Sequence, residues 1–88
     1  MALFNQSNEE SLRQKIRDGF DDSVKDALRE TGLNDPLFGG LIVESAIGSF
    51  YQSMKDEPIL KLISDKLGLD YDSLLEEELK RALNKYLE

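Results

Sequence analysis

The sequence predicts an all-α domain, a small bundle of four helices, or five if the first is broken, and composition, spacing and punctuation each point there. Fifteen leucines stand against eight β-branched residues, five Ile, two Val and one Thr, and Leu favours helices whereas β-branched side chains favour strands. Apolar residues recur at intervals of three and four along most of the chain, the repeat of a helix that buries one face. Pro, Gly and short acid or hydroxyl runs fall between these stretches, where helices start and stop. At 88 residues there is room for one core and no second domain. Leu, Ile, Phe and Val make 26 of the 88, about 30% and clear of the roughly 20% below which a charged chain stays disordered. The expected organisation is one helical domain over residues 1–88, with 1–6 as a flexible N-terminal tail.

Ser7 with Glu10 has the form of a capping box, which satisfies unpaired amides at a helix start. Leu12, Ile16, Phe20, Val24, Ala27 and Leu28 follow at helical spacing, so the first helix is expected from near Asn8. Asp18-Gly19 is a candidate break, with Asp21, Asp22 or Ser23 able to cap a second segment; one helix, straight or kinked, is the expected form. Thr31-Gly32-Leu33 supplies the glycine and apolar residue that close a helix.

Asn34-Asp35-Pro36 restarts the pattern, with Asp35 as cap and Pro36 at the first helical position, where its missing N–H is not needed. Val43, Ala46, Ile47, Phe50, Tyr51 and Met54 then share one face, and Glu44, Ser45, Gly48, Ser49, Gln52 and Ser53 fill the other. Leu37, Phe38, Leu41 and Ile42 lie largely off the apolar face and need a second surface to pack on.

Asp56-Glu57-Pro58 opens a short third helix whose stripe is Ile59, Leu60, Ile63 and Leu67, and Gly68-Leu69 closes it. In the last helix Asp72 or Ser73 is the expected cap, Ser73 with Glu76 makes a second possible box, and Leu75, Leu79, Ala82, Leu83 and Tyr86 line the inner face. Glu76 with Lys80 and Glu77 with Arg81 are i, i+4 pairs suited to a solvated side. The two C-terminal helices together have the outline of a helix-turn-helix.

Composition narrows the function. With no His and no Cys, the usual zinc ligands, the imidazole base, the thiol nucleophile and every disulfide are lost. No enzyme activity and no cofactor are expected. Eighteen acids against eleven bases leave a net charge of −7, which repels a phosphate backbone, so nucleic acid is not an expected partner. The first eight residues carry no basic and apolar leader pattern, and a cytoplasmic site is expected. Pro36 to Met54 holds a single charge, Glu44, in 19 residues. Its Gly39, Gly40, Ser45, Gly48, Ser49, Gln52 and Ser53 fall short of the roughly 20 predominantly apolar residues of a membrane span, and no membrane partner is expected.

Three strings have a chemical look. Asp72-Ser73-Leu74 resembles the Asp-Ser-Leu of acyl carrier proteins, in which the serine carries a phosphopantetheine arm; that family places two further helices after the serine, whereas 15 residues follow Ser73 here. Asp-Ser before a leucine stripe is also ordinary helix-start chemistry. A helix-turn-helix over Leu60 to Leu83 would present Asp70, Asp72, Glu76, Glu77 and Glu78 to the duplex, where Arg, Lys, Asn or Gln are called for. The acid clusters Asp21-Asp22, Asp56-Glu57 and Glu76-Glu77-Glu78 match no calcium-loop spacing and sit where helix N-termini attract carboxylates. No metal site is expected.

The segment from Leu33 to Ile42 is apolar, nearly uncharged and glycine-bearing, and a simple bundle explains it least. Either it plugs the core or it stays partly exposed as a protein interface. The interface candidates are Leu33, Leu37, Phe38, Leu41, Ile42, Ser45 and Ser49. The expected function is a small acidic, non-enzymatic interaction domain, a regulator, inhibitor or adaptor, that binds another protein through an apolar patch near residues 33–54. The alternative is a homodimeric structural or assembly protein that buries the same surface by self-association.

Overall fold

A computed structural model describes residues 6–31 and 36–87, with side chains described for 8–31 and 38–87. It contains four helices, α1 (Gln6–Thr31), α2 (Pro36–Lys55), α3 (Pro58–Lys66) and α4 (Tyr71–Leu87), and no strand among the described residues.

α1 is one helix that runs through Gly19. It is already helical at Gln6, so Ser7 lies within its first turn and the expected start near Asn8 moves toward the N-terminus. Gln6, assigned from sequence to the tail, opens the helix, and the rest of that tail lies outside the described residues. The helix ends at Thr31, whose hydroxyl turns back to donate to the carbonyl of Ala27 at 2.9 Å. α2 starts at Pro36, the position its fixed φ suits; its expected cap Asp35, like Leu33, lies outside the described residues.

Both ends of α3 are built as the sequence predicts. The Glu57 carboxylate accepts from the Ile59 amide at 3.3 Å, capping a helix that has Pro58 in its first turn. At the other end Gly68 adopts φ +72°. The Leu69 amide donates to Ser64 O at 2.8 Å and the Gly68 amide to Asp65 O at 3.1 Å, the paired bonds of a Schellman closure. α4 is capped two to three residues earlier than expected. The Asp70 carboxylate, not Asp72 or Ser73, accepts from the Ser73 amide at 3.3 Å and from the Ser73 hydroxyl at 3.0 Å.

Cross-helix contacts set the directions. Arg17 reaches Glu78 and Asp21 reaches Lys85 and Tyr86, so α1 and α4 run parallel. Phe20 meets Phe50 edge to face with ring centroids 4.6 Å apart, while the end of α1 lies beside the start of α2, so α2 runs antiparallel to both. α3 reverses the chain between them. The core is Leu12, Ile16, Phe20 and Val24 of α1, Val43 and Ile47 of α2, and Tyr71, Leu74, Leu75 and Ala82 of α4. The Tyr71 hydroxyl donates to Met54 O at 2.5 Å, tying the start of α4 to a carbonyl in the last turn of α2, where intrahelical partners run out.

The bundle is a rod of 49 × 21 × 18 Å with a radius of gyration of 14.5 Å, against about 12 Å for a compact chain of this length. Its length follows from α1, whose 26 residues span about 39 Å at 1.5 Å per residue.

Candidate functional site

α2 has two faces of different chemistry. Its inner face places Val43 and Ile47 in the core with Ala46, Phe50, Tyr51 and Met54 packed beside them, as the periodicity predicts. On the outer face Phe38 is 49% exposed and Leu41 59% exposed, Ile42 is half-buried, and Ser45, Gly48, Ser49, Gln52 and Ser53 are exposed. Phe38, Leu41, Ile42, Ser45 and Ser49, with Ala27 and Thr31 of α1, line a shallow groove of about 400 Å³ that contains no charged side chain. Five of the sequence-predicted interface residues therefore come together on one surface. Leu37 belongs to α2 by its backbone, but its side chain and all of Leu33 lie outside the described residues.

Phe38, Leu41, Ser45, Gly48 and Gln52 alternate steps of three and four, the spacing of a seam that packs against another helix. Nothing among the described residues covers that seam. Gly48 sits in it with open space where a Cβ would stand.

A second apolar surface corrects the sequence reading of α3. Of its expected buried stripe, Leu60 and Leu67 are half-buried, whereas Ile59 is 64% exposed and Ile63 is also exposed, together with Leu62 at 55%. The nine-residue helix packs on α4 and leaves an open groove of about 320 Å³ toward Asn8, Ser11, Leu12 and Lys15 of α1. The signal lay in the sequence: Ile59, Leu60, Leu62, Ile63 and Leu67 spread round more of the helix than one neighbour can cover.

The third feature is charged. α4 turns Tyr71, Leu74, Leu75, Glu78 and Ala82 inward, so Leu79, Leu83 and Tyr86 sit at the edge of the core instead of its centre, and Glu78 is 2% exposed. Arg17 donates to it at 2.7 and 3.2 Å and Arg13 at 3.3 Å, while Arg81 stands 3.7 Å away. Burial alone raises the pKa of the Glu78 carboxyl, and the hydrogen bonds of Arg17 and Arg13 with the charges of Arg17 and Arg81 outweigh it, holding the group below its ordinary value. Glu77 pairs with Arg13 at 3.4 Å, not with Arg81 as the i, i+4 spacing suggests, because the α1 arginines stand between the two helices.

Further along, Asp21 accepts from Lys85 at 3.2 Å and from the Tyr86 hydroxyl. Those bonds overcome its burial and keep it below the usual carboxylate range. The groove of about 560 Å³ between α1 and α4 is lined by Arg17, Asp21, Glu78, Arg81 and Lys85 with Phe20 beneath them, and their charges answer one another. These bonds join side chains of α1 to side chains of α4, so the cluster fastens the two helices together.

Ser73, the residue of the carrier-like motif, lies in the first turn of α4, exposed and bound to Asp70. Among the described residues no group of His, Cys, Asp or Glu is arranged to hold a metal ion, and no helix is long and apolar enough to cross a membrane.

Comparison with protein-family models, with curated proteins and with solved structures returns no match, so the reading of the surface rests on its geometry.

Proposed function

We propose that this chain is a non-enzymatic protein-interaction domain, of the regulator or adaptor kind, whose docking surface is the outer face of α2. One observation carries the reading. In a chain with 33% charged residues, the face formed by Phe38, Leu41, Ile42, Ser45, Ser49 and Gln52 carries none, and it keeps two large apolar side chains half-exposed. A solvated helix face in an acidic protein is normally charged, whereas an interface centre is depleted of charge and rich in aromatic and aliphatic anchors. The acids elsewhere on the surface would orient an approaching partner over distances within a Debye length, about 8 Å at physiological salt.

The test is a photo-reactive phenylalanine analogue placed at Leu41, with the same analogue at the exposed Glu76 of α4 as control. A discrete cross-linked species at Leu41, absent at Glu76 and lost when Ser49→Glu puts charge into the face, supports the docking surface. Identical patterns from the two positions would overturn it.

A further inference from the structure

We propose that the open groove between α1 and α3 is filled by the chain's own residues Met1 to Phe4, with Phe4 as the anchor. The inference concerns a surface apart from the outer face of α2 and does not depend on the docking proposed there.

The two walls of the groove do not match. α3 offers Leu60, Ile63 and Leu67, and α1 answers with Asn8, Ser11, Lys15 and a single apolar residue, Leu12. Ile63 is left 41% exposed. The sequence shows why α1 has no more to give: from Asn5 to Ser11 every residue is polar or charged. Immediately before that stretch stand Met1, Ala2, Leu3 and Phe4, apolar residues in succession, which lie outside the described residues.

Reach selects the groove. Phe4 is two residues from Gln6, where α1 begins, so its Cα stays within about 7 Å of the Gln6 Cα in any conformation. Asn8, the first α1 residue of the groove, lies two residues from Gln6 on the other side. The apolar outer face of α2 opens beside Ala27, about 31 Å further along α1 at 1.5 Å per residue, far beyond Phe4. The register agrees with the reach. Phe4 stands four residues before Asn8 and seven before Ser11, and Met1 seven before Asn8, intervals that keep to one face of a helix.

Size and tether select the occupant. A volume of about 320 Å³ is at the small end of the roughly 300–1,000 Å³ that encloses a small molecule, which is room for one or two side chains and not for the face of another helix. A segment attached this closely is present at a roughly millimolar effective concentration, so it fills the groove ahead of a separate peptide of equal fit. Seating Phe4 there removes apolar surface from water on both sides, and α3 is fastened to α1 as well as to α4.

The chain has no tryptophan, so Phe4→Trp in the full chain places one reporter in the segment. Its emission should lie at shorter wavelength than that of Leu62→Trp on the open side of α3, and Ile63→Glu should move it to the red, at low and high protein concentration alike. Phe4→Asp should raise the unfolding equilibrium constant at least about tenfold, although a carboxylate at a helix start is otherwise favourable. Phe4→Ala with Ile63→Ala should depart from additivity at least about threefold in that constant, whereas Phe4→Ala with Leu62→Ala should add to within about twofold. Emission of a solvated indole that Ile63→Glu does not move, with both pairs additive, would overturn the proposal. A shift to shorter wavelength that appears only as concentration rises would put the segment of another copy in the groove and overturn it equally.

Discussion

Gly19 in α1 gives its side-chain space to the ring of Phe50 in α2: a Cβ built on Gly19 would lie 2.2 Å from the ring's Cζ. The same ring stands edge to face against Phe20 at 4.6 Å, so it cannot back away without losing that contact. Gly19→Ala gains helix propensity, up to about 1 kcal/mol, and loses more to overpacking, which typically costs about 1–3 kcal/mol. The expected result is a net loss of about 1 kcal/mol, a fall in melting temperature of roughly 4–8 °C. Gly48→Ala, with open space around it, should raise monomer stability by about 0.5 kcal/mol. Thermal melts of the two variants at low protein concentration check the contrast, and equal shifts would mean that the ring does not rest on Gly19.

Glu78 is the one acid buried among the described residues, and removing its charge should expose how α1 is held to α4. Arg13 and Arg17 keep 19% and 25% of their side-chain surface, so they can turn toward water when their partner is lost. Glu78→Gln should therefore cost about 2 kcal/mol, less than the roughly 3–5 kcal/mol of breaking a fully buried pair. Glu78→Leu combined with Arg17→Met should recover most of that loss, because apolar neighbours of similar size need no desolvation. The pH dependence has a definite sign. Glu78 and Asp21 have lowered folded-state values, so their contribution is present above the unfolded carboxylate range and is lost as pH falls through the folded values. Urea titrations at several pH values should show that slope, and Glu78→Gln should flatten it.

Local chemistry was legible and remote partnership was not. Pro36 at a first turn, Glu57 on the Ile59 amide and Gly68 at φ +72° depend on residues within a few positions of one another, and spacing alone finds them. The inner face of α2 could be read because its apolar residues stand against small polar ones. α4 could not be read in the same way, because the residue at the centre of its buried face is Glu78, whose partners Arg13 and Arg17 lie more than 60 positions away. The outer α2 face was visible as residues that the inner stripe did not absorb. The exposed side of α3 was missed because Ile59, Leu60, Ile63 and Leu67 were read as one buried stripe with Leu62 left out, although together they spread too far round a nine-residue helix for one neighbour to cover.

Tyr71 links burial to alkaline stability. Its ring is 6% exposed, and burial, with the charges of Glu57 and Asp72, pushes the phenol up to about 12. A raised value means that the folded state favours the protonated form, so stability is full below about pH 10, the unfolded value, and is lost as pH rises through about 12. Tyr71→Phe removes the hydroxyl that donates to Met54 O and should cost about 1 kcal/mol at neutral pH. It should also lose the steep decline between about pH 10 and about pH 12, which urea unfolding followed across that range would show. A variant with the same decline would place the alkaline transition elsewhere.

The exposed side of α3 separates fastening from packing. That helix is held by the Glu57 cap, the Schellman bonds at Gly68 and Leu69, and the half-buried Leu60 and Leu67, none of which involves Leu62. Leu62→Lys should therefore change stability by no more than about 0.5 kcal/mol, the range of surface substitutions. Leu60→Ala, which removes a side chain packed against the core, should cost about 2 kcal/mol. Gly68→Ala should cost about 1 kcal/mol, since its left-handed conformation penalises any Cβ. Chemical denaturation of the three variants orders them. A large loss at Leu62 would mean that the exposed side of α3 is covered in solution by a surface other than α4.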